Sequence, residues 1–185
     1  DDVIIANGHT VTVTAAAGIV NITINLGGAL VVNNPRTLTV TGNYTNNGTH
    51  SGTGATVLSG TATKTLDGNG SITQSGIFSI TTGAKTVAAG SNLTFNNITV
   101  TTVVLTNNST AGLTISTTLA GTGTLTQGTN AILNLGVASV TPTLTATPNP
   151  NTVNYKGATQ TCKVTNYYNL QFSGSGTLTC AATTV

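Results

Sequence analysis

Few side chains in this sequence have the chemistry of a catalytic site, and they are widely spaced. The 185 residues include three carboxylates, Asp1, Asp2 and Asp67, and two histidines, His9 and His50. A paired acid and base would require Asp67 to meet the amino-terminal aspartates. Neither histidine has a nearby carboxylate or a Gly-X-Ser-X-Gly nucleophile motif. The sequence therefore predicts a protein that is not an enzyme.

Metal and cofactor binding have equally little support. The run 67–70, Asp-Gly-Asn-Gly, resembles a calcium loop only superficially, and without further carboxylates it predicts a tight turn. Zinc normally takes four ligands, whereas this chain has two cysteines and two distant histidines. We therefore expect neither a metal nor a cofactor.

The composition describes a folded chain with an almost uncharged surface. Only 4% of residues are charged, the net charge is +2, and 38% of residues are hydrophobic. This balance favours folding over disorder, and a neutral surface offers little repulsion between copies. The five cations are scattered, which is unlike the clustered basic stripe of a nucleic-acid-binding protein. No apolar run approaches 18 residues, so membrane insertion is not predicted either.

The periodicity of the apolar residues is that of β-strands. Alternation with period two covers four clear segments, 9–14, 20–25, 36–41 and 112–116. Gly, Asn and Pro end each run after about five to seven residues. The chain is therefore all-β, and two architectures are open. A β-sandwich would use the Asn-Gly and Asp-Gly pairs as hairpin turns, whereas a parallel β-helix would use them at its corners.

Internal recurrence favours the β-helix. The segment 151–185 contains three short β-runs closed by Gly or Asn, and the order of its units from Thr152 parallels that of 56–87 from Thr56. Such recurrence indicates a solenoid, in which no unit buries its apolar face alone. The aromatic content of 4% also suits a narrow core of stacked aliphatic residues. We predict one β-helical domain over 1–185, with a repeat-like unit at about 151–185.

The β-helical interpretation also places the two histidines. We expect His9 to be a strand residue at the mouth of a coil. We expect His50 to belong to a polar loop over 46–54.

Four runs in the last segment carry a family resemblance: 152–155, 160–161, 167–170 and 173–176. They resemble the repeat of bacterial extracellular β-solenoid proteins, the large surface adhesins and filament proteins with a right-handed parallel β-helix. The run 2–13 resembles the first coil of such a domain. The resemblance implies a right-handed solenoid, a cell-surface location and an adhesive or structural role, and it supplies no catalytic residues. The chain departs from the repeat at Cys162 and Cys180, where apolar strand residues are expected.

The two cysteines lie 18 residues apart, which is about the length of one β-helical coil. Cys162 and Cys180 would then occupy equivalent positions on adjacent strands about 4.8 Å apart, within the range that a disulfide bridges. An extracellular, oxidising setting would allow the bond. The alternative is a pair of buried free thiols.

Eight Asn-X-Ser/Thr sequons are candidate glycosylation sites, at Asn21, Asn43, Asn47, Asn69, Asn92, Asn97, Asn107 and Asn108. A chain this rich in Asn and Thr also produces sequons by chance. Asp1 is expected to be a mature terminus left after removal of a signal peptide. Both observations favour an exported protein.

Seven residues form a candidate subunit interface: Val3, Ile4, Ile5, Ala6, Leu178, Cys180 and Val185. They lie in apolar strands at the two ends of the expected solenoid, where no cap is evident and bare strand edges pair with other chains. We therefore expect a subunit of an extracellular filament or surface appendage that assembles head to tail with itself.

The alternative function is a segment of a larger surface adhesin that binds glycans or a host surface. Tyr155, Tyr167 and Tyr168 would supply the aromatic faces that sugars contact. The competing structural interpretation places one ring of the 167–168 pair in the core and the other outside.

Overall fold

The chain folds as a right-handed parallel β-helix of about nine turns. The computed structural model describes residues 1–148 and 150–181, and all regular structure within them is β. Every strand pair among these residues is parallel, for example β1 with β4, β2 with β5 and β3 with β6. A β-sandwich is built from antiparallel strands, so that alternative is wrong.

The strands of successive coils stack on three faces. The first face contains β1 (Val3–Ile5), β4 (Ile22–Ile24), β7 (Tyr44–Asn46), β10 (Lys64–Asp67), β13 (Lys85–Val87), β15 (Val104–Asn107), β17 (Thr124–Gln127) and β19 (Thr143–Thr145). The second contains β2 (Thr10–Val13), β5 (Ala29–Val32), β8 (Thr49–Ser51), β11 (Ser71–Ile72), β18 (Ile132–Leu135), β20 (Thr152–Tyr155) and β22 (Asn169–Phe172). The third contains β3 (Ala17–Ile19), β6 (Thr37–Val40), β9 (Ala55–Leu58), β12 (Phe78–Ile80), β21 (Gln160–Thr161) and β23 (Leu178–Thr179).

Two longer strands, β14 (Thr94–Val100) and β16 (Leu113–Ala120), run through the corner between the second and third faces. The first part of β14 pairs with β11, and its last part pairs with β12. The register between β14 and β16 shifts between Phe95 and Asn97, which is where the strands bend. We number the coils in chain order, so that coil 1 holds β1–β3 and coil 9 holds β22 and β23.

The core consists of columns of inward side chains, one from each coil. The column on the second face is Val11, Leu30, His50, Ile72, Phe95, Ile115, Leu135, Tyr155 and Phe172. Alternate residues of each strand point inward, so the period-two pattern of the sequence becomes the wall of the core. The predicted stacking of Val, Ile, Leu and Ala is present, and three aromatic rings, Tyr44, Phe78 and Phe95, pack together within it.

Both histidines lie elsewhere than the sequence suggested. His50 is in β8 and fully buried, so its assignment to a polar loop is wrong. Its neighbours Thr49 and Ser51 point away from the core. Because both are polar, the segment resembled a loop in the sequence, although it is a short strand with one inward side chain. His9 is exposed in the turn just before β2, and is not a strand residue.

The segment 56–87 and the described part of 151–185 begin on different faces of the solenoid. Thr56 lies in β9 on the third face, whereas Thr152 opens β20 on the second face. The two segments are out of phase by one face because strand–turn units of similar composition build all three.

Glycine at the corners allows the coils to stack closely. Gly68, in the predicted turn 67–70, and Gly121 have φ angles of +111° and +110°. A Cβ at Gly68 would overlap the carbonyl oxygen of Asn46 one coil below. A side chain at such a corner would therefore meet both backbone strain and a steric clash.

Candidate assembly surfaces at the two end coils

The open face of coil 1 exposes the interior of the solenoid. Among the described residues, β1, β2 and β3 each pair with a strand on one side only. Val11 begins the column on the second face and is 40% exposed, whereas Leu30, its partner in coil 2, is 1% exposed. Val11 lines an apolar groove of about 320 Å³ together with Val3, Val13 and Ile19. Coil 1 thus combines three free strand edges with an uncovered apolar core.

The four predicted interface residues of coil 1 occupy different positions. Val3 lines the groove, and Ile5 is buried in the core. Ile4 is 70% exposed on the outer surface of β1, and Ala6 is exposed at the corner that follows. The structure therefore brings Val3 to the open face and leaves Ile4 and Ala6 beside it.

Coil 9 presents a second open face. In the described part of the chain, β22 pairs only with β20 and β23 only with β21. Phe172, the last member of the second-face column, is half-buried, as is Leu178 in β23. Cys180 is exposed, and Val185 lies outside the described residues. Apolar side chains are thus partly uncovered at this end also.

A disulfide links the last two strands of the third face. Cys162 and Cys180 are bonded with a Cα–Cα distance of 5.0 Å, as predicted, and the free-thiol alternative is wrong. The cysteines follow the paired residues Thr161 and Thr179, and the Cys162 amide donates to the Thr179 carbonyl at 3.0 Å. In the chain-entropy model, closing a loop of this length stabilises the fold by about 3 kcal/mol. The bond therefore anchors β23 to the coil below.

The tyrosines of this end do not form a three-ring surface. Tyr155 and Tyr167 are buried, and their hydroxyls lie 3.1 Å apart. The Tyr155 hydroxyl accepts from the Lys163 amide at 2.9 Å, and the Tyr167 hydroxyl donates to the Lys163 carbonyl at 2.6 Å. Burial raises the pKa of both phenols. Only Tyr168, which is 42% exposed, offers a ring to solvent, so the glycan-contact assignment of Tyr155 and Tyr167 is wrong and the alternation within the 167–168 pair is correct.

An outer ladder of side chains runs along one corner of the solenoid. Asp2, Asn21, Asn43 and Thr65 occupy the same position in coils 1 to 4. The Asn21 amide donates to Asp2 Oδ1 at 3.3 Å, the Asn43 amide to Asn21 Oδ1 at 2.7 Å, and the Thr65 amide to Asn43 Oδ1 at 3.0 Å. Each Asx side chain therefore accepts the backbone N–H of the coil above it.

The eight sequon asparagines differ in accessibility. Asn107 is buried, and its amide donates to Gln127 Oε1 and to the Ile132 carbonyl, both at 3.0 Å. Glycosylation of Asn107 in the folded chain is therefore excluded on steric grounds. The side chains of Asn21, Asn43 and Asn47 accept ladder hydrogen bonds from the next coil. The remaining four, Asn69, Asn92, Asn97 and Asn108, are exposed or half-buried.

Sequence reasoning missed a buried polar chain around His50. The Tyr44 hydroxyl lies 2.7 Å from His50 Nδ1, and Thr56 Oγ1 lies 3.2 Å from Nε2. Thr56 donates to Gln74 Oε1 at 3.0 Å, and Gln74 donates to the Gly54 and Ile77 carbonyls at 2.6 and 3.0 Å. Since Thr56 uses its proton on Gln74, it accepts from Nε2–H, and Tyr44 donates to Nδ1. Burial lowers the pKa of His50 to about 4, so the ring is neutral.

Lys85 is a second buried group that the sequence did not reveal. Its Nζ donates to the carbonyls of Gly60, Thr82 and Gly83 at 3.0, 2.8 and 3.0 Å. Burial, and then the nearby charge of Lys64, lower the pKa of Lys85. Three carbonyl dipoles thus replace the carboxylate that normally accompanies a buried ammonium group.

The carboxylates are far apart in the fold. Asp67 ends β10 in coil 4, three coils above Asp2, a separation of about 14 Å at the usual strand spacing. Asp67 Oδ1 accepts from the Gly68 amide and the Ser91 hydroxyl at 2.7 and 2.6 Å, which are structural contacts at a corner. Within 1–148 and 150–181, no three His, Cys, Asp or Glu residues are grouped as a metal site would require. The same residues contain no helix long and apolar enough to cross a membrane.

The fold and its two open faces define the chain as a β-solenoid. No family model, no curated protein and no solved structure matches it.

Proposed function

We propose that this protein is a structural subunit of an extracellular filament or surface appendage, in which coil 9 of one copy stacks on coil 1 of the next. The observation that carries the proposal is the open face of coil 1, where Val11 is 40% exposed above an apolar groove. The interior columns of a solenoid are satisfied only when another coil covers them. A second copy of the same fold supplies a coil of matching width.

The two faces have the complementarity that such stacking needs. Phe172 ends the second-face column at coil 9, and Val11 begins it at coil 1, so stacking places one on the other. Parallel strand edges at both faces can continue the same hydrogen-bonded ladders. The contact is between different surfaces, so it propagates into an open filament unless it closes into a ring.

The nearly neutral surface supports this assignment. With 4% charged residues, the chain has little of the charge repulsion that keeps most secreted domains apart. The disulfide supports an oxidising, extracellular setting for assembly.

The proposal is tested by electron microscopy and sedimentation of the intact chain, a Val11→Lys variant and a Val104→Lys variant in neutral buffer. Both valines are 40% exposed, but Val104 lies on the outer surface of β15 in coil 6, far from either end. We expect uniform fibres from the intact chain and from Val104→Lys. Val11→Lys puts an unpaired charge into the groove, and we expect it to remain monomeric.

Monodisperse particles from the intact chain, or undiminished fibres from Val11→Lys, would overturn the proposal. A monodisperse chain would favour the second candidate, a segment of a larger adhesin. Tyr168 and Val164, 42% and 62% exposed near the start of coil 9, are the apolar contacts that such a segment would offer to a glycan. A glycan array with the intact chain and Tyr168→Ala examines that candidate directly.

A further inference from the structure

The two ends of the solenoid match at one particular corner. Tyr167 is paired with Ala146, and β17 is paired with β19, so the register can be followed from coil 1 to coil 9. By this register, Thr165, Asn166 and Tyr167 occupy in coil 9 the positions that Asp1, Asp2 and Val3 occupy in coil 1. The segment 165–167 would therefore lie directly beneath 1–3 of a stacked copy.

Asn166 occupies the same column as the outer ladder, in coil 9. The ladder itself consists of Asp2, Asn21 and Asn43, whose side chains accept the backbone N–H of the coil above. Five threonines separate it from Asn166 in the column: Thr65, Thr86, Thr106, Thr126 and Thr145. Asn166 is exposed, and among the described residues no strand pairs with this segment from above. The residue at the same position in a stacked copy is Asp2, which has a backbone N–H to donate.

Charge is also distributed unequally between the two ends. Coil 1 carries Asp1 and Asp2 at this corner, whereas Lys163 lies at the same corner between coils 8 and 9. In a single copy the Lys163 ammonium donates to the Thr141 carbonyl of the coil below at 3.0 Å. Stacking would bring opposite charges together, which favours head-to-tail contact over the two like-end contacts.

We infer that the joint between copies is fixed by this corner: Asn166 Oδ1 accepts the N–H of Asp2 in the next copy, and the Lys163 side chain turns from the Thr141 carbonyl towards the acidic pair Asp1 and Asp2. The inference rests on the proposed function and names the residues that set its register and direction. The occupant of the open face is a second copy of this chain. Asp1 and Asp2 of that second copy lie above Lys163 of the copy below.

The test measures the lowest protein concentration that yields fibres, using the full chain and five variants. Asn166→Ala removes the ladder acceptor, and we expect the threshold to rise roughly fivefold, the loss of about one net hydrogen bond. Asn92→Ala, an exposed asparagine of coil 5, is the matched control and should leave the threshold unchanged.

Charge reversal tests the second contact. We expect Lys163→Glu to raise the threshold about tenfold at low salt, with a smaller effect at high salt because the charges are screened. Adding Asp1→Lys to Lys163→Glu should restore most of the loss, which a merely structural role of Lys163 would not explain. Lys64→Glu makes the same change of net charge in coil 4 and should have little effect.

The outcomes separate this inference from the proposed function. If Asn166→Ala and Lys163→Glu form fibres at the same lowest concentration as the intact chain, the assignment of this corner is wrong, although the filament itself still forms. An intact chain that forms no fibres at any concentration would overturn both.

Discussion

Two of the polar clusters that the solenoid buries differ in their hydrogen bonding. The histidine cluster of coils 3 and 4 contains Tyr44, His50, Thr56 and Gln74, whose side chains donate and accept in an unbroken chain that ends on backbone carbonyls. The amide cluster of coils 6 and 7 contains Asn107 stacked on Gln127. Gln127 Nε2 is buried there without a hydrogen-bond partner.

The difference shows two ways in which a narrow parallel core tolerates polar groups. The histidine cluster is satisfied, but it depends on one ring staying neutral. The amide cluster does not titrate, but it leaves a donor unpaired. A satisfied network is costly to break, whereas an imperfect one is cheap to replace by an apolar side chain. Three predictions follow this contrast.

The largest effect is a loss of stability in acid. The pKa of His50 falls from 6.5 to about 4 on folding, so below pH 6.5 the unfolded chain takes up a proton that the folded chain refuses. Above pH 6.5 His50 is neutral in both states, so its full contribution to the free energy of unfolding is present. That free energy falls by about 3 kcal/mol as the pH drops to about 4. Denaturant unfolding across this range measures the loss. The chain has only three side-chain carboxylates, so other groups contribute little to the change of stability over this pH range.

His50→Gln provides the comparison, since its amide can accept from Tyr44 and donate to Thr56 without titrating. We expect its stability to be nearly flat over the same pH range. His9→Gln changes an exposed histidine and should retain the full acid loss. An equal acid loss in His50→Gln would show that another group is responsible.

The next effect comes from removing the first hydrogen bond of the histidine cluster, the one between Tyr44 and His50. Tyr44→Phe keeps the ring and its edge-to-face contact with Phe78, at 5.4 Å between centroids, but removes the donor to His50 Nδ1. A buried acceptor without a partner costs about 1–3 kcal/mol, to be measured by unfolding at pH 7.5. Tyr168→Phe, at an exposed ring, should change stability by less than about 0.5 kcal/mol. A cost for Tyr44→Phe as small as that control would mean that the 2.7 Å contact contributes nothing.

The sequence carried enough information to predict the coils but not these clusters. Period-two alternation in runs such as Thr37–Val40, each ended by turn residues, identified the strands and their inward faces. The spacing of Cys162 and Cys180 identified the disulfide because one coil separates them. Both signals lie within a single strand or a single coil. They are enough to predict a solenoid because each coil repeats the same geometry.

The buried polar groups escaped prediction because their partners come from other coils. His50 contacts Thr56 across a corner and reaches Gln74 through it, 24 residues further along the chain. Thr49 and Ser51 beside it signalled a loop, and only the pairing with Leu30 and Ile72 reveals an inward position. The open faces of the end coils were predictable as apolar strands, but the corner that aligns Asn166 with Asp2 required the register of all nine coils.

The smallest effect sharpens the contrast between the clusters through one substitution made in each. Gln127→Met removes the unpaired Nε2 together with the Oε1 that accepts from Asn107. Asn107 keeps its bond to the Ile132 carbonyl, so we expect a net change within about 1 kcal/mol. Gln74→Met has the same change of shape but removes two donated bonds and the acceptor of Thr56, and it should cost roughly 2 kcal/mol more. Unfolding of both variants at pH 7.5 decides the matter. If Gln127→Met is as costly as Gln74→Met, the two clusters contribute equally to stability and the contrast drawn between them is wrong.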